Sequence, residues 1–515
     1  MAKKLFLFLL LTVGVLIGVL VTLWVVSRSS SSTQGIQTVS VSEPSATEPP
    51  SLEPDKTTLF GTMLAFNSNE GLGGNPQMQE RFSTGWSALR ADEEAIRTYY
   101  RMLDRAFEQT AQLAVETGFS SNRDVVGAFV WNVIENERGL YDWNLTDATM
   151  EAAGKAGMTI SAVIQPFASW NQTTYPQEYQ RTCKAIDFGY YDYKAGPVTD
   201  WEAYRQFLTA TVERYDGDGQ DDMPGLKMRV EAWEIGNEYD GQCGGYFEDP
   251  EGYGELLKTS YEIIKAVDPS ALVLNAGALE IIGYGTGPDQ TKTFWEDFFA
   301  AGYDQFLDVF NFHYNKERNG AQTSPEDWVA HLDFFNGLME ESDGVKPLWV
   351  TEFGTYSGTP KSSVPPGEDP SRAMSLPTQS ASFQASWFFR YAVIGFASGL
   401  ERVFIDLEGS DMGGIGASSL YNQGQGKDGE PRMFLGTLQA MAKVLDGFTQ
   451  AREIDDGQYQ FVVGDKTVYA LWEGSLPQEL QGKTLAVVEI DGEEKTMESD
   501  GSAFSQEAPV LVWAQ

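Results

Sequence analysis

Histidine is almost missing from this chain of 515 residues: it occurs only at positions 313 and 331. Cysteine is as rare, at 183 and 243. A metal centre built on several histidines is therefore excluded, and no Cys–His cluster has zinc spacing. Basic residues are scarce too. Lys and Arg number 36 against 74 Asp and Glu, for a formal net charge of −38. So acidic a chain repels nucleic acid, whose binding needs a basic face. It also disfavours anionic ligands, unless a local basic pocket overrides the whole. The excess acid reads as a solvated surface. No glycine-rich phosphate turn follows the first predicted strand, which argues against an open dinucleotide-binding sheet. No cofactor and no metal is implied.

The two cysteines lie in loops after neighbouring predicted strands; outside the cytoplasm they can pair, and otherwise they are two separate buried thiols. The run "DGDGQDD" (216–222) resembles a calcium-wrapping loop only in its alternation of Asp and Gly. It lacks the bidentate Glu that closes such a loop at the twelfth position, and reads as an acidic turn.

The amino terminus is different. "MAKK" precedes 22 uncharged residues, "LFLFLLLTVGVLIGVLVTLWVV", a length that spans a bilayer core as a helix. The rival reading, a cleaved signal peptide, needs a shorter apolar run and small residues at a cleavage site, and "VVSRSSSST" fits that poorly. The preferred reading of 1–26 is an uncleaved transmembrane signal-anchor. Lys3 and Lys4 stay cytoplasmic and the rest lies outside. No Cys follows the run, so a lipoprotein anchor is excluded. Residues 27–57, rich in Ser, Thr and Pro, cannot bury enough apolar surface to fold and read as a linker.

From 58 to 447 short apolar runs alternate with helical periodicity. Strands are predicted at 58–66, 124–135, 158–170, 228–238, 271–278, 306–315, 347–355 and 401–409, each followed by a helix; the helix after the first is predicted over 93–118. Eight such units predict an α/β fold, a closed (β/α)8 TIM barrel. Residues 448–515 change to short alternating strands bounded by turns and predict a small β-sandwich-like domain.

In a parallel barrel the carboxyl ends of the strands line one cleft. Polar residues that close apolar runs therefore become candidates. They are Trp131 and Glu135 on strand two, Trp170 on three, Asn237 and Glu238 on four, His313 and Tyr314 on six, Glu352 on seven, and Asp406 and Glu408 on eight. Glu238 and Glu352 are 114 residues apart, three repeats of about 38 residues in a fold of this kind. Strands four and seven face each other across the mouth. Paired carboxyls at a cleft are the apparatus of glycoside hydrolysis, one donating a proton and the other attacking the anomeric carbon.

"WEIGNE" (233–238), "VTEFG" (350–354) and "WNVIENERGLYDW" (131–143) are similar to stretches of the retaining (β/α)8 glycoside hydrolase clan; the resemblance covers roughly 58–445 and assigns no single family. It implies a glycosidase acting on a neutral poly- or oligosaccharide by double displacement. Glu352 is the implied nucleophile and Glu238 the implied acid/base. Glu238 is expected to carry the proton, since two carboxylates at one site resist ionising together. Asn237 is expected to bond the sugar 2-hydroxyl. His313 resembles the histidine of strand six in that clan; the tyrosine often found two residues beyond it is here adjacent, at 314. Trp131 and Trp170 are expected to stack on sugar faces, and Glu135 to bond a hydroxyl. Arg123 lies ahead of the predicted strand two, so the clan's nucleophile-touching arginine is not carried onto it. The alternative reading is a non-catalytic carbohydrate-binding or cell-surface scaffold protein on the same barrel. Loops 167–200, 241–255 and 356–380 are expected to overhang the cleft.

Overall fold

The structure is a computed structural model that describes residues 59–63, 119, 121–124, 128–172, 197–241, 245–281, 288–315, 325–340, 344–357, 378–406, 431–499 and 508–515. The chain divides into two compact units, 1–51 and 52–515, and all described residues belong to the second. The predicted anchor and linker, both cysteines, the helix over 93–118, Glu408 and much of the three overhanging loops lie outside them. No helix among the described residues is long and apolar enough to cross a membrane.

Eight parallel strands form one sheet: β1 (Phe60–Met63), β2 (Ser121–Asp124), β3 (Thr159–Ile164), β4 (Val230–Ile235), β5 (Leu272–Leu274), β6 (Phe310–Asn315), β7 (Leu348–Gly354) and β8 (Leu400–Asp406). Their order is β5-β4-β3-β2-β1-β8-β7-β6. The remaining gap is bridged: Leu274 pairs with Val309 and Ala278 with Phe312, both in parallel. Side chains finish the closure, with Asn275 exchanging hydrogen bonds with the Asn311 backbone in both directions. The ring is a barrel.

Helices wrap it. They are α1 (Trp131–Ile134), α2 (Asn144–Ala156), α3 (Trp201–Tyr215), α4 (Pro250–Val267), α5 (Pro288–Ala300), α6 (Pro325–Glu340), α7 (Ala381–Ala397) and α8 (Met433–Leu445). Their starts are written in the sequence. Asp200, Asp249 and Ser380 each accept a hydrogen bond from the backbone N–H three residues on, at 3.1, 2.9 and 3.0 Å, satisfying amides that a helix start leaves open.

Alternation sorts the strand residues. Outward side chains join the main core with the helices, while Ala232, Leu274, Val309, Trp349 and Phe404 form a separate apolar cluster inside the ring. Trp349 and Phe404 carry most of its bulk, and the Arg402 guanidinium lies 4.2 Å from the Trp349 ring centroid. This apolar floor closes the lower barrel, with the buried Arg402–Glu231 pair beside it at 3.1 Å.

Two expectations need correction. Strand two is not 124–135: it occupies 121–124, and Trp131–Ile134 is a helical turn. Val130 still bridges Gln165, but the apolar run misled because it is buried above the strand rather than in it. The carboxyl-terminal module is one sheet rather than a sandwich of two. Strands β9 (Phe448–Asp455), β10 (Gln458–Val463), β11 (Lys466–Leu471), β12 (Thr484–Glu489), β13 (Glu494–Glu498) and β14 (Val510–Ala514) run antiparallel in the order β13-β12-β14-β11-β10-β9. One face, with Phe461, Val468, Ala470 and Leu511, joins the barrel's core. The other, with Leu471, Leu485, Val487 and Val510, is covered by Leu476 and Leu480 of the module's own loop.

The sheet meets the barrel at close range. A Cβ on Gly436 of α8 would sit 2.0 Å from the Asp491 carbonyl oxygen in the β12–β13 turn, and Thr437 Oγ1 donates to the Ile490 carbonyl beside it. Gly436→Ala is expected to lower stability by about 1–3 kcal/mol through overpacking. Gly337→Ala on α6, where a Cβ meets nothing within 4 Å, is expected to be neutral or stabilising. Chemical denaturation of the two variants side by side checks this.

Candidate active site

Above the apolar floor, β2, β4, β6 and β7 place a continuous network of ionisable groups. Glu234 follows the outward Trp233 on β4 and points inside, fully buried. A buried carboxylate needs a cation, and Arg123 on β2 supplies it. Arg123 is itself fully buried. Its Nε donates to Glu234 Oε2 at 2.7 Å and its Nη2 to Glu234 Oε1 at 2.6 Å, a bidentate pair. The same Nη2 donates to Asn237 Oδ1 at 2.7 Å, and Nη1 to Glu352 Oε1 at 3.0 Å. Burial alone would weaken the guanidinium's hold on its proton, but Glu234 and Glu352 outweigh it and push the pKa well above the usual arginine value.

Glu352 reaches the interior through an irregularity. On β7, Trp349 points in and Val350 out. Strict alternation would then turn Glu352 out. The ladder instead skips Thr351: Phe312 pairs with Val350, and the next pair is His313 with Glu352. This bulge re-aims the carboxylate, and Phe353 returns to the outer core.

Glu238 arrives by a turn. Beyond Ile235, Gly236 has φ +88° and Glu238 itself φ +52°, a left-handed conformation that a side chain adopts at a cost. Its N–H donates to the Ala276 carbonyl at the end of β5. His313 joins the two carboxyls. Its Nδ1 lies 2.8 Å from Glu238 Oε1 and 3.6 Å from Glu352 Oε1. One oxygen of each glutamate and Nδ1 fall within 4.8 Å of one another. Burial works against the imidazolium, but the charge of Glu352 and the hydrogen bond to Glu238 raise the pKa above that of an ordinary histidine. On the ring's other side, a Cβ on Gly277 (φ +54°) would sit 2.2 Å from Nε2. Only glycine fits there. The two carboxyls differ in access: the Glu238 side chain is 24% exposed and that of Glu352 6%.

Three donor atoms so close could also ligate a cation, but the Arg123 guanidinium already holds the Glu352 oxygen and sets a fixed positive charge beside the point where an ion would sit. Asp216, Asp218 and Asp222 also converge within 4.8 Å. Their oxygens accept from the loop's own amides, Gly217, Asp218, Gly219 and Gln220, as an acidic turn does.

Other expected site residues lie elsewhere. Trp131 is fully buried, stacked on Phe207 and edge-on to Trp170 and Tyr204, so it is core and no sugar platform. Its Nε1 donates to Glu135 Oε2 at 2.6 Å, and Gly139 N–H donates to Glu135 Oε1 at 2.6 Å. Glu135 is 2% exposed; it ties α1 to the following turn instead of meeting a hydroxyl. Trp170 is half-buried, with Nε1 donating to the Glu135 carbonyl at 2.7 Å. Tyr314 follows His313 on the strand and therefore points the opposite way, packed 4.4 Å from Trp328 and 5.3 Å from His331; it belongs to the core between barrel and helices. The Asp406 side chain lies outside the described ones. Arg123, set aside because it lay ahead of the expected strand two, is on β2 and does touch Glu352; Glu234 and Gly277 were not among the expected site residues. The sequence did hold one signal, a glutamate set between Trp233 and Ile235 in a buried strand, which demands a cationic partner.

No protein-family model matches the chain, and no curated protein matches it. Solved structures do. A family 39 glycoside hydrolase from the gut symbiont Bacteroides cellulosilyticus WH2 aligns with 18% identity and a TM-score of 0.54 over 80% of this chain and 79% of its own. The fold is shared with solved glycoside hydrolases. A monomeric β-xylosidase from Caulobacter crescentus CB15 aligns at 16% identity and TM-score 0.51, covering 80% of this chain and 92% of its own. A glucosidase from Croceicoccus marinus does so at 12% identity and TM-score 0.51, over 79% and 92%.

Arg123→Ala would leave Glu234 buried without its cation and is expected to destabilise the fold by about 3–5 kcal/mol, read by chemical denaturation. Because folded His313 binds its proton more tightly than unfolded histidine, its charged form contributes stability. That contribution is complete below the ordinary value of 6.5 and is lost as pH rises through the raised one. His313→Gln is expected to flatten this part of the stability profile, measured from about pH 5 to about pH 8.

Proposed function

We propose that the chain is a retaining glycoside hydrolase that cleaves O-glycosidic bonds in a neutral poly- or oligosaccharide. One observation carries the reading. Two glutamates, from the ends of β4 and β7, meet within 4.8 Å over the barrel mouth, and one of them is gripped by a fixed guanidinium at 3.0 Å. Oxygens that come within 4.8 Å of each other suit attack by one carboxylate on the anomeric carbon while the other serves the leaving oxygen; inversion needs a wider gap to admit water.

The roles follow from the partners. Glu352, held by Arg123, is kept ionised and aimed, and attacks to form a glycosyl ester. Glu238 is the more exposed of the two and shares a hydrogen bond with His313. It protonates the leaving oxygen, which carries off the aglycone. Once Glu352 is an ester its charge is gone, and Glu238, ionised by the first step, takes a proton from water as the water attacks the anomeric carbon and the bond to Glu352 breaks, which restores Glu352 as a carboxylate and Glu238 as an acid. Arg123 occupies the Asn237 oxygen, so the Asn237 amide nitrogen is the group available to a sugar hydroxyl.

The glucosidase and β-xylosidase among the similar structures direct the first assays to β-glucosides and β-xylosides. The 22-residue uncharged run near the amino terminus supports a membrane tether with the barrel on its outer side, as its length matches a bilayer core.

Incubation with 2,4-dinitrophenyl 2-deoxy-2-fluoro-β-xyloside and its β-glucoside counterpart, followed by peptide mass mapping, is expected to find the sugar on Glu352. Glu352→Ala should take no label and show no turnover. Glu238→Ala is expected to lose about 10²–10⁴-fold toward unactivated substrates. No label together with no hydrolysis across a broad glycan panel sinks the catalytic reading and leaves a carbohydrate-binding scaffold.

A further inference from the structure

Glu238 sits on a left-handed turn, and such a conformation persists only where its surroundings over-determine it. The N–H of Glu238 bonded to the Ala276 carbonyl is one restraint. A second comes from a residue with no part in the chemistry above. Asp240 is 1% exposed. Its Oδ2 accepts from the Leu279 backbone N–H at 3.0 Å and from Trp295 Nε1 on α5 at 2.9 Å. Gly241 N–H closes the turn on the Glu238 carbonyl at 3.1 Å. The segment 236–241 is thus stapled at two points to 276–279, the extension of β5, and from there to α5. That same extension holds the other partner of Glu238: Ala278 exchanges backbone hydrogen bonds with β6 on either side of Phe312, and Gly277 admits the His313 ring. Asp240 therefore bears on the acid/base and on its histidine together. Burial, with the charge of Glu238 a lesser contributor, lifts the Asp240 pKa to about 7 despite its two donors. A carboxyl kept in so costly a place is retained for what it holds.

We infer that Asp240 is a positioning residue for the general acid: its two hydrogen bonds, to Leu279 and Trp295, lock the turn that aims Glu238 at the leaving oxygen. The inference rests on the reading of Glu238 as acid/base. It predicts damage to the two proton transfers that Glu238 serves and none to attack by Glu352, which Arg123 holds independently; in kcat/KM, which reports the first step, that damage falls on protonation of the leaving group.

The test compares phenyl and 2,4-dinitrophenyl β-xylosides and β-glucosides. The phenyl leaving group needs the acid and the dinitrophenyl group does not. Asp240→Leu deletes both acceptor bonds. It is expected to lower kcat/KM on the phenyl glycoside at least about tenfold more than on the dinitrophenyl one, a fraction of the 10²–10⁴ that general acid catalysis supplies. Asp240→Asn keeps an oxygen for both donors and is expected to restore most of the loss. Trp295→Phe, which deletes one donor and keeps the ring, should show the same leaving-group bias more weakly, and it serves if Asp240→Leu does not fold. Labelling of Glu352 by the fluoro-sugar should persist in every folded variant. Equal losses on both leaving groups, or Asp240→Asn as impaired as Asp240→Leu, overturn the inference. Failure of the wild-type chain to take label or to cleave any of these glycosides overturns instead the glycosidase reading beneath it.

Discussion

A guanidinium sealed inside a barrel must be answered by negative charge, and the ionisable groups at the upper end of this interior are arranged around that demand. Arg123 and Glu234 compensate each other with a bidentate pair. The remaining guanidinium nitrogen, Nη1, turns toward β7, where it holds Glu352 at 3.0 Å. Arginine suits this task because its planar fork points several donors in fixed directions, where lysine would offer a point charge on a flexible stem. The ion pair therefore does two things. It makes a buried Glu234 tolerable, and it converts the rigidity of three strands into a fixed direction for one carboxylate.

The second carboxylate is aimed by departures from regular structure. Had β7 kept strict alternation, Glu352 would face the helices; the skipped Thr351 turns it inward. Had β4 simply continued, Glu238 would lie farther along an extended strand; a left-handed residue folds it back over the mouth. Both irregularities occur at the upper rim, beyond the apolar cluster of the lower ring. The lower ring has register shifts of its own, between Ile160 and Ser161 on β3 and between Leu348 and Trp349 on β7, but there the side chains stay packed. At the rim an irregularity changes what points into the cleft.

How far this was legible follows from the same division. Alternating apolar runs fix where buried strands fall, and β3 to β8 lie inside the ranges read from periodicity or within one residue of them. The carboxylates that end the runs of β4 and β7 were visible for that reason. What periodicity hides is phase. Tyr314 neighbours His313 in sequence, and a period of two sends it to the opposite face. Trp131 and Glu135 end an apolar run, but that run is a buried turn closed by their mutual hydrogen bond. The run also drew strand two toward 124–135 and left Arg123 outside it. Arg123 could not be matched to Glu234 from sequence, because the two are 111 positions apart and only barrel closure brings them together. The bulge at Thr351 leaves no mark in composition at all.

The electrostatics of this interior also bear on what can bind. Arg123 is committed to Glu234, Asn237 and Glu352, so it has little left to offer an anion. Two further carboxyls, Glu238 and the buried Asp240, stand at or behind the mouth, and a chain of net charge −38 surrounds them. An acidic sugar at the mouth would meet the chain's surplus of negative charge with no cation in reserve from Arg123, and repulsion in so poorly solvated a place is only weakly screened. A neutral sugar meets no such barrier. On the proposed reading it also meets an amide donor, the Asn237 side chain, whose oxygen Arg123 already occupies. On that reading, the surplus of acid around the two glutamates therefore favours an uncharged glycoside over an acidic one.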